Sequence, residues 1–402
     1  MNEFQYFLKT RVQYGENKSL ELAGPIQEFS GKNKAVIITD HALESLGFIQ
    51  PIIDSLAASG IECKVYSEVK SNPTFQNIDE AAALIREFDS DAVIAVGGGS
   101  PLDTAKTAAL VAGGDHGAEH YALMANPFPP KKVLMIAVPT TAGTGAEVTS
   151  TTVYSDAHHR KLWAWDQNMQ PDLAVLDPVL TINLPDFLTA ATGIDALVHA
   201  LEAITGQSSN PIIEASGLHA IRLVSENLPL VMREKENLDA RGNLLIASML
   251  AGIAIEYGGT GIAHNIGHAL STAGGLHHGR AVAIALYHSY EWNLDSSQIA
   301  VFAKAARAFG VTDSYDSDRE LAHAGAVRYR KLIESLPIDL EVTADGLTAE
   351  DLPHLLAACL AEENQPMRRN NCRYAADEDL ERFAKQIIAF QQGGKTQPLS
   401  PA

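Results

Sequence analysis

Short apolar runs and helical repeats alternate through the first 176 residues of this 402-residue chain, and few folds accommodate that rhythm. Lys34–Thr39, Glu62–Tyr66, Ala92–Val96, Val133–Val138 and Leu173–Leu176 read as strands. Ile49–Ser59, Ile78–Phe88 and Leu102–Ala112 read as helices between them. A run as continuously apolar as Ala92–Val96 has no polar face to turn to water, which predicts a parallel sheet covered by helices on both sides.

From about Pro185 the rhythm changes. Helical periodicity fills Pro211–Leu228, Arg241–Ile255, Ser297–Phe309 and Asp377–Phe390, with no comparable series of strands. The expected fold is a Rossmann-like α/β domain with a parallel sheet, residues 1–182, followed by an all-helical domain, residues 183–402. Length supports the division, because 402 residues exceed what one hydrophobic core usually serves. The change falls within Asp177–Asp186, which contains two prolines. The terminal GGKTQPLSPA reads as a frayed tail.

Charge narrows the function. Asp and Glu outnumber Lys and Arg 49 to 30, for a formal charge of −19. A surface of that sign repels nucleic-acid phosphates and anionic lipid, so neither is an expected partner. Three scattered cysteines, Cys63, Cys359 and Cys372, form neither a CxxC pair nor a disulfide framework, which fits a reducing cytoplasm. The N-terminal MNEFQYFLKTRVQYG lacks the apolar stretch of a signal peptide, and the longest apolar runs are too short to cross a bilayer. The expectation is a cytoplasmic protein without membrane contact.

Ala92–Val96 leads directly into Gly97-Gly98-Gly99-Ser100-Pro101 and then a helix. Glycines let a ligand approach the backbone, and a helix start offers free N–H groups and a positive dipole end. The turn suits a phosphate or pyrophosphate, and equally a tight connection with no ligand. It is not GxGxxG, because Leu102 stands at the third glycine. A second loop, Pro139–Gly145, follows the next strand and lacks the lysine of a P-loop, which disfavours nucleotide hydrolysis. Two such loops at strand C-termini form the crevice in which open α/β sheets bind ligands. Asp40, ending the first strand, serves equally as an acceptor for an adenosine ribose, favouring NAD over NADP, or as a helix N-cap.

The helical half holds His264 and His268 at i and i+4, with His278 ten residues on. Upstream, Asp195 and His199 share the i, i+4 spacing on another helix. A carboxylate and imidazoles converging from two helices suit a borderline divalent ion such as Fe2+ or Zn2+. Either pair alone is more often an accident of surface or core; two pairs and a further histidine favour ligation. Spacing does not choose between His277 and His278.

GGGSPLDTAK (Gly97–Lys106), PTTAGTGAEVT (Pro139–Thr149), DALVHALEA (Asp195–Ala203) and HNIGHALSTAGGLHHG (His264–Gly279) resemble, in that order, the iron-containing (group III) alcohol dehydrogenases. NPT at Asn72–Thr74 and DP at Asp177–Pro178 extend the likeness over nearly the whole chain. The resemblance implies a dehydroquinate synthase-like architecture, with a dinucleotide-binding domain, a helical metal-binding domain and a catalytic cleft between them. It implies metal ligation by Asp195, His199, His264 and His278, with His277 a neighbour. It places His268 beside the metal as a catalytic residue near the nicotinamide, able to relay a proton. Cofactor contacts are implied for Asp40, Asn72, Gly97, Gly98, Gly99, Ser100, Asp103, Thr140, Thr141, Thr144, Thr149 and Lys161. The implied activity is hydride transfer between NAD(H) and a small alcohol or its aldehyde or ketone. Fe2+, or Zn2+ in its place, polarises the substrate oxygen. A homodimer at least is implied as well.

Many relatives carry Asn and Pro where this chain has Val282 and Tyr287, NPR where it has Asn371-Cys372-Arg373, and an aromatic at Ile255. These positions surround the implied substrate pocket or its supports, so no relative's substrate carries over. Trp163, Trp165, Glu256 and Tyr257 are further candidates to shape it. A cyclising enzyme of the dehydroquinate synthase type needs a pocket dense in Arg and Lys, for which Arg160, Lys161 and Arg280 are too few and scattered. A keto- or enol-acid reductase, similar to maleylacetate reductase, is distinguished by assaying keto acids against aldehydes. An inactive nucleotide- or metal-binding scaffold predicts a damaged ligand set, and this set is intact.

Overall fold

The computed structural model describes residues 3–29, 31–156 and 160–391; the expected frayed tail lies outside them. Among the described residues eight strands form: β1 (Arg11–Tyr14), β2 (Lys34–Asp40), β3 (Glu62–Val69), β4 (Ala92–Gly97), β5 (Leu134–Pro139), β6 (Thr151–Ser155), β7 (Lys161–Trp165) and β8 (Leu173–Leu176). Six of them make one parallel sheet in the order β1-β8-β5-β4-β2-β3. β4, β5 and β8 are buried along their whole length, as their apolar runs demand. Val36, Ile38, Val93 and Ala95 face the helices Phe75–Phe88 and Gly99–Val111. Ala35, Ile37, Ile94 and Val96 face the helices Ala23–Phe29 and Gln50–Ala58 on the other side. Side chains that alternate across the pleat thus fill two separate apolar layers.

From β2 the chain runs outward to β3 and returns to β4 before continuing to β5, so the order reverses between β2 and β4. Those two strands pair through Ile38 and Ala95, which brings Asp40 and Gly97 to the same edge. This is where open α/β sheets bind ligands.

The sequence reading left β1 and the antiparallel β6–β7 hairpin unassigned. All four residues of β1 are exposed, so no alternation marks it; pairing with β8 makes it a strand. The hairpin packs Tyr154, Leu162 and Ala164 into the layer around Gly99–Val111. That helix begins at Gly99, three residues before the expected Leu102, because the turn residues themselves form its first turn around Pro101.

Beyond β8 the described chain is helical, with Asp186–Thr205, Pro211–Arg233, Leu238–Gly258, Ile262–Gly274 and His278–Asn293 sharing one core. Asp186–Thr205 and Leu238–Gly258 are each long and apolar enough to cross a membrane, which corrects the estimate from continuous runs. Both are interior helices: 89% of the apolar window of the first is buried in the protein. A helix enclosed by other helices is apolar all round without any bilayer.

Candidate active site

The glycine-turn end of the cleft is built from bare backbone. Gly98 precedes the Gly99–Val111 helix and no side chain caps it, so its first amides remain available to an anion. A Cβ on Gly97 would stand 2.5 Å from Pro101 Cγ, and one on Gly99 2.8 Å from Thr144 Cγ2. The glycines therefore let the second loop close onto the first, and Thr140 N donates to Gly97 O at 2.9 Å. Thr141 adjoins Gly98, whose Cβ would lie 3.3 Å from its Oγ1. Ser100 Oγ donates to Ser71 O at 2.7 Å, drawing in the loop that carries exposed Asn72. Asp40 is the N-cap of His41–Ser45, but Oδ1 alone does this, accepting Leu43 N at 3.0 Å.

Asp103 and Thr149 belong to a buried network around Lys106. Asp103 Oδ2 accepts Val153 N at 2.9 Å and Oδ1 lies 3.5 Å from Lys106 Nζ, which donates to Thr149 Oγ1 at 3.1 Å and Thr151 O at 2.7 Å. Burial pushes the Lys106 ammonium down, against the pull of Asp103, Glu256 and Glu147. The network clamps β6, and β6 pairs with β7 through Ser155 and Lys161. Burial lowers Lys161 to about 8, opposed by Asp195. Its charge in turn helps depress His268, His277 and His278, so it stands beside the histidine cluster.

That cluster joins three helices. Asp195 and His199 sit on Asp186–Thr205, His264 on Ile262–Gly274, and His278 opens His278–Asn293. One donor atom from each lies within 4.8 Å of all the others. Asp195 Oδ1 is 3.6 Å from His278 Nε2 and 3.8 Å from His264 Nε2. Donors around a tetrahedral ion with bonds near 2.1 Å are about 3.4 Å apart, so this spacing fits one divalent ion after slight contraction. Asp195 Oδ1 and His264 Nε2 are buried without hydrogen-bond partners, which is costly unless a cation takes them. His277 turns elsewhere, its ring edge-on to Phe187 at 5.3 Å.

Burial would raise the Asp195 carboxyl, but His199, His278 and His264 hold it well below the usual carboxylate range. Burial would lower His264, yet Glu202 and Asp195 draw it up to about 9. Burial also pushes His199 down, and His268 and His278 further. The centre therefore offers an ionised carboxylate and two neutral imidazoles, His199 and His278, while His264 gives up a proton when an ion takes its place.

His268 lies beside this set, its ring centroid 5.3 Å from that of His278. Its Nδ1 is 3.3 Å from Asn364 Oδ1, while Asn364 Nδ2 donates to Ala358 O at 2.9 Å. With the amide so oriented, Nδ1 carries the hydrogen and Nε2 keeps its lone pair. Trp163 Nε1 donates to Glu363 O at 3.3 Å, tying β7 to the turn that bears Asn364. His199 Nδ1 lies 3.3 Å from Gly143 O, so the loop that touches the glycine turn also touches the histidine cluster.

Several residues prove to be scaffolding. Glu256 accepts Ser150 N at 2.7 Å, and Tyr257 Oη donates to Phe7 O at 2.8 Å. Arg280 is spent on Asp339 O, Glu341 O and Asp345, and Arg160 on Asp156, so no cation-dense pocket forms from them. Tyr287 packs against Phe390 and Arg330, while Asn371 Oδ1 accepts Ile262 N at 3.1 Å at the start of the His264 helix. The sequence reading overlooked Asn364 and Glu202. Nothing local marks Asn364, but Glu202 stands at i+3 from His199 and i+7 from Asp195, on their helix face.

Models described as iron-containing alcohol dehydrogenase and as the C-terminal part of the Fe-containing alcohol dehydrogenase family match residues 9–178 and 189–388. A 1,3-propanediol dehydrogenase of Klebsiella pneumoniae is 31% identical over 93% of this chain and 97% of its own. An NAD-dependent methanol dehydrogenase of Bacillus methanolicus is 30% identical over 95% and 99%. The crystal structure of sulfoacetaldehyde reductase from Bifidobacterium kashiwanohense, in complex with NAD+, superposes with a TM-score of 0.87 at 26% identity, covering 97% of this chain and 100% of that one. Matched along almost its full length by both family models, the chain belongs to the iron-containing alcohol dehydrogenase family.

Proposed function

We propose that this chain interconverts a small alcohol and its aldehyde or ketone by hydride transfer with NAD(H), at the centre formed by Asp195, His199, His264 and His278. It is an oxidoreductase of a family whose relatives include NAD-dependent alcohol dehydrogenases and aldehyde reductases. The observation that carries the reading is the convergence of four donors within 4.8 Å, next to the loop that reaches the glycine turn. A divalent ion held there supplies Lewis acidity toward the substrate oxygen, so no serine or tyrosine base is needed.

The chain's own residues do the rest. Amides of Gly98, Gly99 and Ser100 hold the pyrophosphate, with Gly97 giving room for Pro101. Asp40 keeps one carboxylate oxygen for the adenosine ribose, which favours NAD over NADP. Asn72, Thr140, Thr141 and Thr144 line the cofactor, and Lys161 meets its nicotinamide half. Asp103 and Thr149 act through Lys106, which fixes the hairpin bearing Lys161. His268 accepts the alcohol proton at Nε2 and passes it toward solvent.

The cleft in this reading separates residues 1–182 from 183–402, supported by the change from sheet to helices between Leu176 and Asp186. Fe2+ is the ion, on the family's description, and Zn2+ fits the same donors. Three unpaired thiols support a cytoplasmic enzyme and a charge of −19 supports the lack of nucleic-acid or anionic-membrane partners, while the homodimer or larger homo-oligomer rests on the family resemblance.

Anaerobic purification followed by metal analysis, gel filtration and NADH-oxidation assays with aldehydes and keto acids tests it. The expected result is stoichiometric iron, turnover of aldehydes with NADH above NADPH, and loss of activity on chelation. Full activity in metal-stripped protein, or turnover of keto acids alone, would overturn the reading.

A further inference from the structure

We infer that Glu202 is the positioning residue of the metal centre, fixing the tautomer and direction of His264 from beneath the helix that carries it. This rests on the reading of Asp195, His199, His264 and His278 as metal ligands. Glu202 is 4% exposed and takes three donors at once. Its Oε2 accepts His264 Nδ1 at 2.6 Å and Gly261 N at 2.9 Å, and its Oε1 accepts Ala263 N at 2.6 Å. Asn371 Oδ1 accepts the intervening Ile262 N at 3.1 Å. Two side chains from distant segments thus cap a helix whose own N-cap, Gly261, has no side chain to offer. Gly261 has no room for one, since a Cβ there would stand 2.6 Å from Asn371 Oδ1 and 3.0 Å from Glu202 Oε1.

Capping alone does not account for the bond to the imidazole. A carboxylate that accepts from Nδ1 requires the hydrogen there, which leaves the Nε2 lone pair for an ion. Nε2 is the buried atom without a partner, 3.8 Å from Asp195 Oδ1. Glu202 also shares a helix face with two ligands, at i+7 from Asp195 and i+3 from His199. One rigid helix therefore carries two ligands and the anchor of a third. The negative charge lies at the positive end of the His264 helix, whose first amides stabilise it there.

Zn2+ affinity, measured on metal-stripped full-length chain by competition with a chromogenic chelator, tests the role. Glu202→Gln is expected to weaken Zn2+ binding about 10- to 100-fold, the usual loss for an outer-shell partner of a ligating histidine. Asn371→Ala, which removes the other cap, is expected to lower the melting temperature of the apoprotein and leave Zn2+ affinity unchanged. In a His264→Ala background Glu202→Gln is expected to cost nothing further, because its route to the ion has gone. Should the Gln variant not fold, Glu202→Asp carries the same comparisons. Wild-type affinity in the Glu202 variant, or an equal loss with and without His264, overturns the inference while leaving the metal centre standing. A wild-type chain that takes up no Zn2+ and no Fe2+ overturns the metal centre, and this inference with it.

Discussion

Gly252 meets Gly145 backbone to backbone: a Cβ on Gly252 would stand 2.6 Å from the Gly145 carbonyl oxygen. Gly145, at a φ of 62°, donates its N–H to Ser248 Oγ at 3.2 Å. The loop from Pro139 to Thr149 is thereby pressed onto the helix Leu238–Gly258. The same loop touches Gly99 through Thr144 and His199 through Gly143. One segment therefore registers the glycine turn against the histidine cluster.

Gly252→Ala is expected to force this loop outward. Overpacking of this kind costs about 1–3 kcal/mol, readable by denaturant unfolding. Affinity for NADH, followed by fluorescence titration, is expected to fall with it. Lost stability with unchanged NADH affinity would show that the contact does not set the loop.

Asp195→Asn keeps the volume and removes the one carboxylate of the cluster. The variant is expected to lose more than about 100-fold in metal affinity, beyond the range of an outer-shell change, and to lose turnover with it. Its circular dichroism spectrum is expected to match wild type. Retained stoichiometric metal would remove Asp195 from the ligand set.

Glu147 lies outside the proposed chemistry, 1% exposed, with Oε1 unpartnered. Burial raises its carboxyl from 4.5 to about 7, against a smaller pull from Lys106. In the unfolded chain it ionises near 4.5, while the folded chain keeps the proton until about 7. Between those values the folded state binds more protons, so stability falls as pH rises and levels off above about 7. The contribution is about 3 kcal/mol, and Glu147→Gln is expected to remove it. Urea unfolding of both proteins from pH 5 to 8 checks this; parallel curves would refute it.

Lys106→Met breaks the buried ion pair beneath the hairpin. Removing one partner of such a pair costs about 3–5 kcal/mol, because the other charge is left uncompensated. Hydrogen exchange is expected to accelerate in Thr151–Ser155 and Lys161–Trp165. Adding Asp103→Asn is expected to recover part of the loss, and no recovery would place the cost elsewhere.

Much of this was legible in the chain because it is local. The runs that became β4, β5 and β8 are apolar throughout, and burial on both faces demands that. Asp195 with His199 carries helical spacing wherever the helix lies. β1 escaped notice because its four residues are exposed and only pairing with β8 defines it. The partners of Arg280 lie about sixty residues away in a loop, and no periodicity connects them.

The sequence by itself determined the layering of the sheet, the glycine turn, and a carboxylate and several histidines at helical spacing. Resemblance to known motifs then preferred His278 to its neighbour. Only the tertiary structure decided that His264 is held by Glu202, that His268 keeps its lone pair on Nε2 because Asn364 faces Nδ1, and that Asp103 and Thr149 meet Lys106. The physical reason is range. Periodicity and turn chemistry act over a few residues, whereas a hydrogen bond spanning 62 or 96 positions exists only after the helices have packed.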